Sequence, residues 1–322
     1  MTMDRSGGGD AAITLRGVRK QFGEIVAVRG MDLVVPRGAT YGLLGPNGAG
    51  KTTTIRMVLN IFEPDGGEVR IFGEPVSQRV LDRIGYLPEE RGMYRRMTVR
   101  RALQFFAELK GVPARASSPR IERWLERFGL ADRIDARVQE LSKGNQQKVQ
   151  LIGTLVHEPE IVILDEPFSG LDPINQQVFK DVVLELKREG RTILFSTHQI
   201  EQAERACDHV CIIARGEKVV DGAVAEVKRT HGSENVAMTL ETWSAGAVEL
   251  VRTSSQVREV REDGVNLEAV LAGGGDAQAL LVELVRAGVR LRRFERMEPS
   301  LEQIFVERVR PAAAETREVA HV

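Results

Sequence analysis

Few short patterns restrict a fold as much as Gly45-Pro46-Asn47-Gly48-Ala49-Gly50-Lys51-Thr52-Thr53. It fits G-x-x-x-x-G-K-[ST], a loop that wraps phosphate. The pattern carries that chemistry only where a strand feeds it and a helix leaves it. Both are predicted here. Thr40-Tyr41-Gly42-Leu43-Leu44 reads as a short buried strand, and residues 53–59 continue as a helix. Gly45, Gly48 and Gly50 let the backbone turn tightly and bring its N–H groups up to phosphate oxygens. The helix N-terminus adds partial positive charge. Lys51 is placed to neutralise β- and γ-phosphates, and the Thr52 hydroxyl to ligate Mg²⁺.

The chain has 322 residues, room for one large domain and one small one. Hydrophobic residues make up 42% and charged residues 28%, which fits a globular core and argues against wholesale disorder. A net charge of -1 gives no overall pull toward nucleic acid or anionic lipid. No run approaches the ~18 apolar residues that would span a bilayer. Residues 1–10 are polar and glycine-rich, a disordered tail without the apolar centre of a signal peptide, so cytoplasm is the default location. Cys207 and Cys211 lack the second ligand pair that zinc needs and read as buried thiols.

Residues 12–18 alternate as a strand should. Phe22, upstream of the loop, either stacks on a base or fills the core. Residues 66–73 read as a turn and strand, and 84–88 as a strand running into Glu89-Glu90-Arg91-Gly92. Thr98 caps a helix whose Val99, Leu103, Phe106 and Leu109 sit at helical spacing. A second helix is predicted over 121–128. No strand is expected between 94 and about 140, which makes an all-helical insert. Ser142 reads as an N-cap for a helix through Leu155. Ile161-Val162-Ile163-Leu164 is a continuous apolar run, typical of a central parallel strand. It ends in Asp165-Glu166, and paired acids there are costly unless something positive is bound. A turn at 169–173, a helix over 175–188 and a strand at 192–195 follow, the last ending in Ser196-Thr197-His198. Residues 210–213 and 218–221 read as a closing strand pair.

Composition turns polar over 222–234, where a domain boundary is expected. Beyond it, strands at 236–240, 257–260, 265–271 and 289–294 alternate with helices at 245–252 and 276–287. That order, β-α-β-β-α-β, suggests a small ferredoxin-like α+β unit. Ser300-Leu301-Glu302-Gln303 is a capping box opening a last helix. Residues 311–322 are expected to fray as a disordered tail.

In this order the motifs resemble those of ABC ATPases, the nucleotide-binding subunits of ATP-binding-cassette transporters, over about residues 12–225. The resemblance implies an α/β P-loop ABC ATPase domain over 11–225, with a helical subdomain at about 94–155. A small C-terminal α+β (ferredoxin-like) domain would occupy 235–310. ATP and Mg²⁺ are the implied cofactors. Gly45, Pro46, Asn47, Gly48, Ala49, Gly50, Lys51, Thr52 and Thr53 match the family's Walker A and would hold the phosphates. Phe22 matches the base-stacking aromatic, with Val28 also on the nucleotide. Residues 161–166 match Walker B: Asp165 would hold the metal with Thr52, and Glu166 would polarise the attacking water. His198 matches the switch histidine and Asp172 the D-loop. Ser142, Gly144 and Asn145 stand where the signature motif stands, contacting γ-phosphate.

Two departures matter. The signature reads Leu141-Ser142-Lys143-Gly144-Asn145 where L-S-G-G-Q is usual. Glu89 takes the place of the Q-loop glutamine, and its carboxylate remains an oxygen ligand for Mg²⁺. These variants, with the segment over 294–305, look like a subfamily that includes sodium-export-type ABC ATPases, whose relatives also serve drug and peptide efflux.

The resemblance further implies two partners. A second ABC ATPase subunit would sandwich ATP head to tail, so that each nucleotide meets Lys51 of one chain and Ser142 of the other. A separate polytopic transmembrane permease would hold the subunits at the cytoplasmic face of the cell membrane. Arg91, Arg95, Arg96, Arg100 and Arg101 are either a contact for that permease or a solvated basic face. The C-terminal unit has no catalytic cluster and reads as a packing or regulatory appendage. An importer ATPase is the closest alternative. A soluble ATPase acting on ribosomes or nucleic acid fits less well, because the chain has one cassette and a short insert, and no nucleic acid is expected as partner. A GTPase is disfavoured by the missing N-K-x-D reader.

Overall fold

The computed structural model describes residues 11–90, 92–231 and 235–318, with side chains to residue 309. The fold divides into two compact units between residues 224 and 225.

In the first unit, β1 (Ala11–Phe22) and β2 (Ile25–Pro36) form a long hairpin. With β4 (Gly66–Ile71) and β5 (Glu74–Pro75) they build an antiparallel sheet in the order β2-β1-β4-β5. The larger sheet contains β3 (Thr40–Leu44), β6 (Ile84–Leu87), β7 (Ile161–Asp165), β8 (Thr192–Thr197), β9 (His209–Ala214) and β10 (Glu217–Ala223). Its order is β10-β9-β3-β8-β7-β6, parallel throughout except for β10. Every residue of β3, β7 and β8 is buried, the pattern of strands covered on both faces. Ile13, Leu33, Leu43, Ile55 and Ile163 belong to the shared core. The strand order sets the site. β8 lies between β3 and β7, with Ser196 opposite both Leu43 and Asp165. Three carboxyl ends therefore lie side by side, where open α/β sheets bind their ligands.

The helices of this unit are α1 (Lys51–Val58), α2 (Gln78–Leu81), α3 (Val99–Leu109), α4 (Ala114–Arg127), α5 (Lys143–Leu155), α6 (Pro173–Arg188) and α7 (Ile200–Ala206), and α8 (Val224–Thr230) follows at the boundary. The insert is helical as expected, with α3 packed on α4 and α5. α4 starts at Ala114, two turns before the predicted start, and carries Pro119 inside it. Ser117, Ile121 and Leu125 share its buried face, so packing outweighs the hydrogen bond that proline loses. Thr98 and Ser142 cap their helices as predicted, accepting from Arg101 N and Asn145 N at 3.3 Å each.

The second unit follows the predicted order: β11 (Asn235–Leu240), α9 (Ala245–Thr253), β12 (Val257–Asp263), β13 (Asn266–Leu271), α10 (Ala277–Arg286), β14 (Leu291–Arg296) and α11 (Leu301–Glu318). The sheet runs β12-β13-β11-β14, antiparallel throughout, which is ferredoxin-like. Alternate residues Val236, Met238, Leu267 and Ala269 belong to one core with Val248, Val251, Leu280 and Leu284 of the two helices. The capping box forms: Ser300 N donates to Gln303 Oε1 at 2.9 Å and Gln303 N to Ser300 Oγ at 3.1 Å. α11 runs on to Glu318, past the point where fraying was expected at 311, through an alanine run of high helix propensity. The predicted tail at 1–10 and the last residues, 319–322, lie outside the described residues. Among the described residues no helix is long and apolar enough to cross a membrane.

Candidate functional site

The loop leaves β3 at Leu44 and is pressed between neighbouring backbones. Gly45 has φ 159°, and a Cβ there would lie 2.3 Å from the Ile213 carbonyl oxygen. Gly50 has φ 108°, and a Cβ there would lie 2.5 Å from the Ala27 oxygen. Only glycine fits such approaches. Gly216 N donates to Ala49 O at 2.9 Å from the far side. Pro46, Asn47 and Gly48 are exposed, whereas Ala49 is buried. Gly50 is the N-cap of α1 and no side chain caps that end, unlike α3, α5 and α6. The first-turn N–H groups beside the loop are thus left for a ligand.

Lys51 is buried. Its Nζ donates to Gly45 O at 2.8 Å and Pro46 O at 3.2 Å, and lies 3.4 Å from Glu166 Oε1. Thr52, half-buried like Thr53, donates from Oγ1 to Asp165 Oδ1 at 3.2 Å. Asp165 ends β7 and is 1% exposed. Ser196 Oγ donates to the same Oδ1 at 2.5 Å. The other oxygen, Oδ2, is buried with no hydrogen-bond partner. Burial pushes the Asp165 carboxyl above its ordinary range, against the pull of the Ser196 and Thr52 hydroxyls. Glu166 is also buried, with φ 48°. Its N–H meets Ser196 Oγ at 3.1 Å, and its Oε2 lies 3.0 Å from Nδ1 of the exposed His198.

Asp165 and Glu166 are thus both buried; Glu166 Oε1 is paired with the buried Lys51 ammonium, whereas Asp165 Oδ2 is left with no hydrogen-bond partner. Such an imbalance is costly unless a cation joins it. A hydroxyl and a carboxylate oxygen, Thr52 and Asp165, suit Mg²⁺, which binds through one or two carboxylates plus phosphates and waters. Among the described residues no three His, Cys, Asp or Glu gather into a cage that would hold a metal alone.

The other predicted residues sort into three groups. Glu89 is exposed after β6, and none of the polar contacts of the cluster reaches it. The structure therefore does not bring this predicted metal ligand to Thr52 and Asp165. Val28 corrects the expectation of a nucleotide contact: it is fully buried in the core behind the loop and offers no side-chain surface. Phe22 is 42% exposed at the hairpin end and meets Phe62 edge-on, with ring centroids 5.2 Å apart. It remains open enough to stack.

Ser142, Gly144, Asn145 and Asp172 gather at the starts of α5 and α6. Asp172 Oδ1 accepts from Asn175 N at 2.9 Å, capping α6. A Cβ on Gly144 would lie 2.8 Å from Asn175 Nδ2, so the starts of α5 and α6 pack together. Gln147, buried on α5, donates to Pro167 O at 3.0 Å and ties that helix to the turn after Glu166. Sequence reading passed over both Gln147 and Ser196. For Ser196 the available signal was a hydroxyl at a buried strand end two residues before His198.

Among the basic residues, Arg100 pairs with Asp135 at 3.1 Å and Arg101 with Glu108 at 3.2 Å. Arg95 and Arg96 are exposed, and Arg91 lies outside the described residues. Cys207 and Cys211 are free thiols, Cys211 fully buried and Cys207 half-buried, and burial pushes both up. A groove of about 350 Å³ is lined by Ile61, Leu81, Tyr86, Phe106, Leu109 and Lys110 among others.

The ABC transporter family profile matches residues 28–169, and that of the ATP-binding protein DrrA1-3-like C-terminal domain matches residues 222–309. Over 299 residues the chain is 43% identical to an uncharacterised ABC transporter ATP-binding protein, YhaQ, of Bacillus subtilis, covering 92% of this chain and 98% of that one. It is 36% identical over 300 residues to a Nod factor export ATP-binding protein I of a Rhizobium species, covering 92% and 96%. A solved ATP-binding subunit of an ABC transporter superposes with a TM-score of 0.64 and 30% identity over 68% of this chain and 93% of that one. Because the likeness runs along almost the whole of both chains and takes in the loop and the acid pair, this protein belongs to the ABC transporter ATP-binding proteins.

Proposed function

We propose that the chain hydrolyses ATP to power export through a separate transmembrane subunit. The observation that carries the reading is the buried set Lys51, Asp165 and Glu166, with one carboxylate oxygen unshared, beside an uncapped helix N-terminus. The loop amides and α1 would take the phosphates. Lys51 would exchange its loop carbonyls and Glu166 for the β- and γ-phosphates. Thr52 and Asp165 would hold Mg²⁺, which would neutralise phosphate charge when bound. Glu166 then polarises the attacking water, with His198 orienting its carboxylate and reading the γ-phosphate. Phe22 stacks on the base. These are positioning and electrostatic tasks, which phosphoryl transfer chiefly needs.

Ser142, Gly144, Asn145 and Asp172 serve the nucleotide of a second ATPase subunit. The packing of the starts of α5 and α6 against each other, which gathers these residues, supports that reading. Glu89 joins the metal only through movement of the exposed turn after β6, and unaltered Mg²⁺ dependence in Glu89→Ala would remove it. The apolar groove near α3 suits a helix of the permease, which would hold the chain at the cytoplasmic face of the membrane. Export is supported by the Nod factor export relative matched along most of the chain.

Glu166→Gln is expected to bind ATP while turnover falls by at least ~100-fold. Normal steady-state turnover would exclude Glu166 as the base. Tagged Glu166→Gln chain, recovered from detergent-solubilised membranes with ATP, should bring down a polytopic membrane protein. Recovery with ribosomes or nucleic acid alone would overturn the transport reading, and a solute-binding protein among the partners would point to import.

A further inference from the structure

We infer that Ser196 is a positioning residue for the acid pair: its hydroxyl anchors Asp165 so that one carboxylate oxygen faces the metal, and holds Glu166 beside it. The inference rests on the proposed Mg²⁺-ATP hydrolysis at this site.

A serine hydroxyl has one proton and two lone pairs. Ser196 is fully buried and its hydroxyl has two polar neighbours, Asp165 at the end of β7 and Glu166 just after it. One is Glu166 N–H, at 3.1 Å, which can only donate. The single proton of Ser196 must therefore go to Asp165 Oδ1, at 2.5 Å. The hydroxyl has no rotational freedom left: it accepts from one acid's backbone and donates to the other acid's side chain.

This has two effects. Asp165 Oδ1 receives two hydroxyls, from Ser196 and Thr52, and Oδ2 is left buried and unshared. Thr52 is the hydroxyl that would turn its oxygen toward a metal, releasing its hold on Asp165. Ser196 sits on the neighbouring strand β8, outside the loop itself, and would keep its bond when that happens. Its second effect is on Glu166, whose φ of 48° is sparsely populated for any residue with a side chain. Such a backbone persists only where its surroundings over-determine it. Ser196 supplies two acceptors to the Glu166 N–H, its carbonyl at 3.2 Å and its hydroxyl at 3.1 Å. Two residues on, His198 holds the Glu166 carboxylate. The end of β8 thus tethers Glu166 at both backbone and side chain, and Asp165 at its side chain. The neighbouring hydroxyl, Thr197, is equally buried but accepts only from Gln199 N at 3.0 Å in its own turn. It is the natural control.

The test uses the full chain. Steady-state ATP turnover is measured for Ser196→Ala, Ser196→Thr and Thr197→Val. In a Glu166→Gln background, ATP binding is titrated with Mn²⁺ and, separately, measured in EDTA. Ser196→Ala should lower kcat about 10- to 100-fold and raise half-saturating Mn²⁺ about tenfold, as loss of a residue supporting a metal ligand does. ATP binding in EDTA, which depends on the loop and Lys51, should stay within about twofold. Ser196→Thr, which keeps the hydroxyl, should recover both. Should Ser196→Ala not fold, Ser196→Cys carries the same expectation, because a thiol donates weakly. Unmoved turnover and Mn²⁺ dependence would overturn the inference. So would an equal effect from Thr197→Val, or loss of EDTA binding in step with Mn²⁺ dependence. A parent chain without ATPase activity overturns the functional reading first. An active parent with an indifferent Ser196→Ala overturns this inference alone.

Discussion

Lys51 is shared between two loop carbonyls and Glu166. Under the proposed function, nucleotide binding would exchange these buried partners for phosphate. Removing one member of a buried ion pair is usually worse than removing both, because the remaining charge is left uncompensated. Lys51→Ala should abolish detectable ATP binding and also cost up to about 3 kcal/mol of nucleotide-free stability. Denaturant melts without nucleotide check the second part. Unchanged stability would mean that Glu166 is held well enough by its backbone and His198.

At the scale of elements, the loop depends on how closely β2 and the β9–β10 turn press on it. Gly45→Ala places a methyl group 2.3 Å from the Ile213 oxygen, so β3 and β9 must part or the loop must shift. Expected outcomes are a lower melting temperature and ATP affinity reduced at least ~10-fold, measured by equilibrium binding. A second element-level prediction concerns the residues after α5. His157 Nε2 meets Ile84 O at 3.2 Å and its Nδ1 is buried without a partner. Burial, then the Lys110 charge, lower its pKa to about 4, with Arg120 acting the same way and Ile84 O and Asp82 opposing. The unfolded chain takes up the proton at about 6.5, so neutral His157 contributes stability that is present above that pH. That stability is lost as pH falls through the folded value near 4. Melting temperature should fall between those limits, and His157→Leu should flatten the dependence. An equal slope in both proteins would refute it.

Among the described residues, each of the two compact units has a hydrophobic core of its own. The C-terminal unit buries Val236, Met238, Leu267 and Leu280 among themselves. Residues 225–322 made alone should therefore melt cooperatively, and a featureless melt would show that this core is insufficient. In the full chain, Mg²⁺-ATP on Glu166→Gln should raise the transition of the first unit only. At about 100 times Kd the gain is about 2.7 kcal/mol. Equal shifts in both units, followed by hydrogen exchange, would mean that the cores unfold as one.

Much of this protein is legible in its sequence because its signals are local. The loop needs glycines at fixed offsets, and Thr98, Ser142 and Ser300 announce helices within a few residues. Alternation and apolar runs gave the strands, and their order gave the ferredoxin-like unit. Tertiary structure decided what depends on neighbours. Insertion of β8 between β3 and β7 brings Ser196 onto Asp165, across 31 residues of sequence. Tertiary packing also buries Val28 and carries α4 through Pro119, while Glu89 stays exposed after β6. Periodicity records which face of an element is buried, but not which element lies against it. A hydroxyl's single proton is committed only once that neighbour is known.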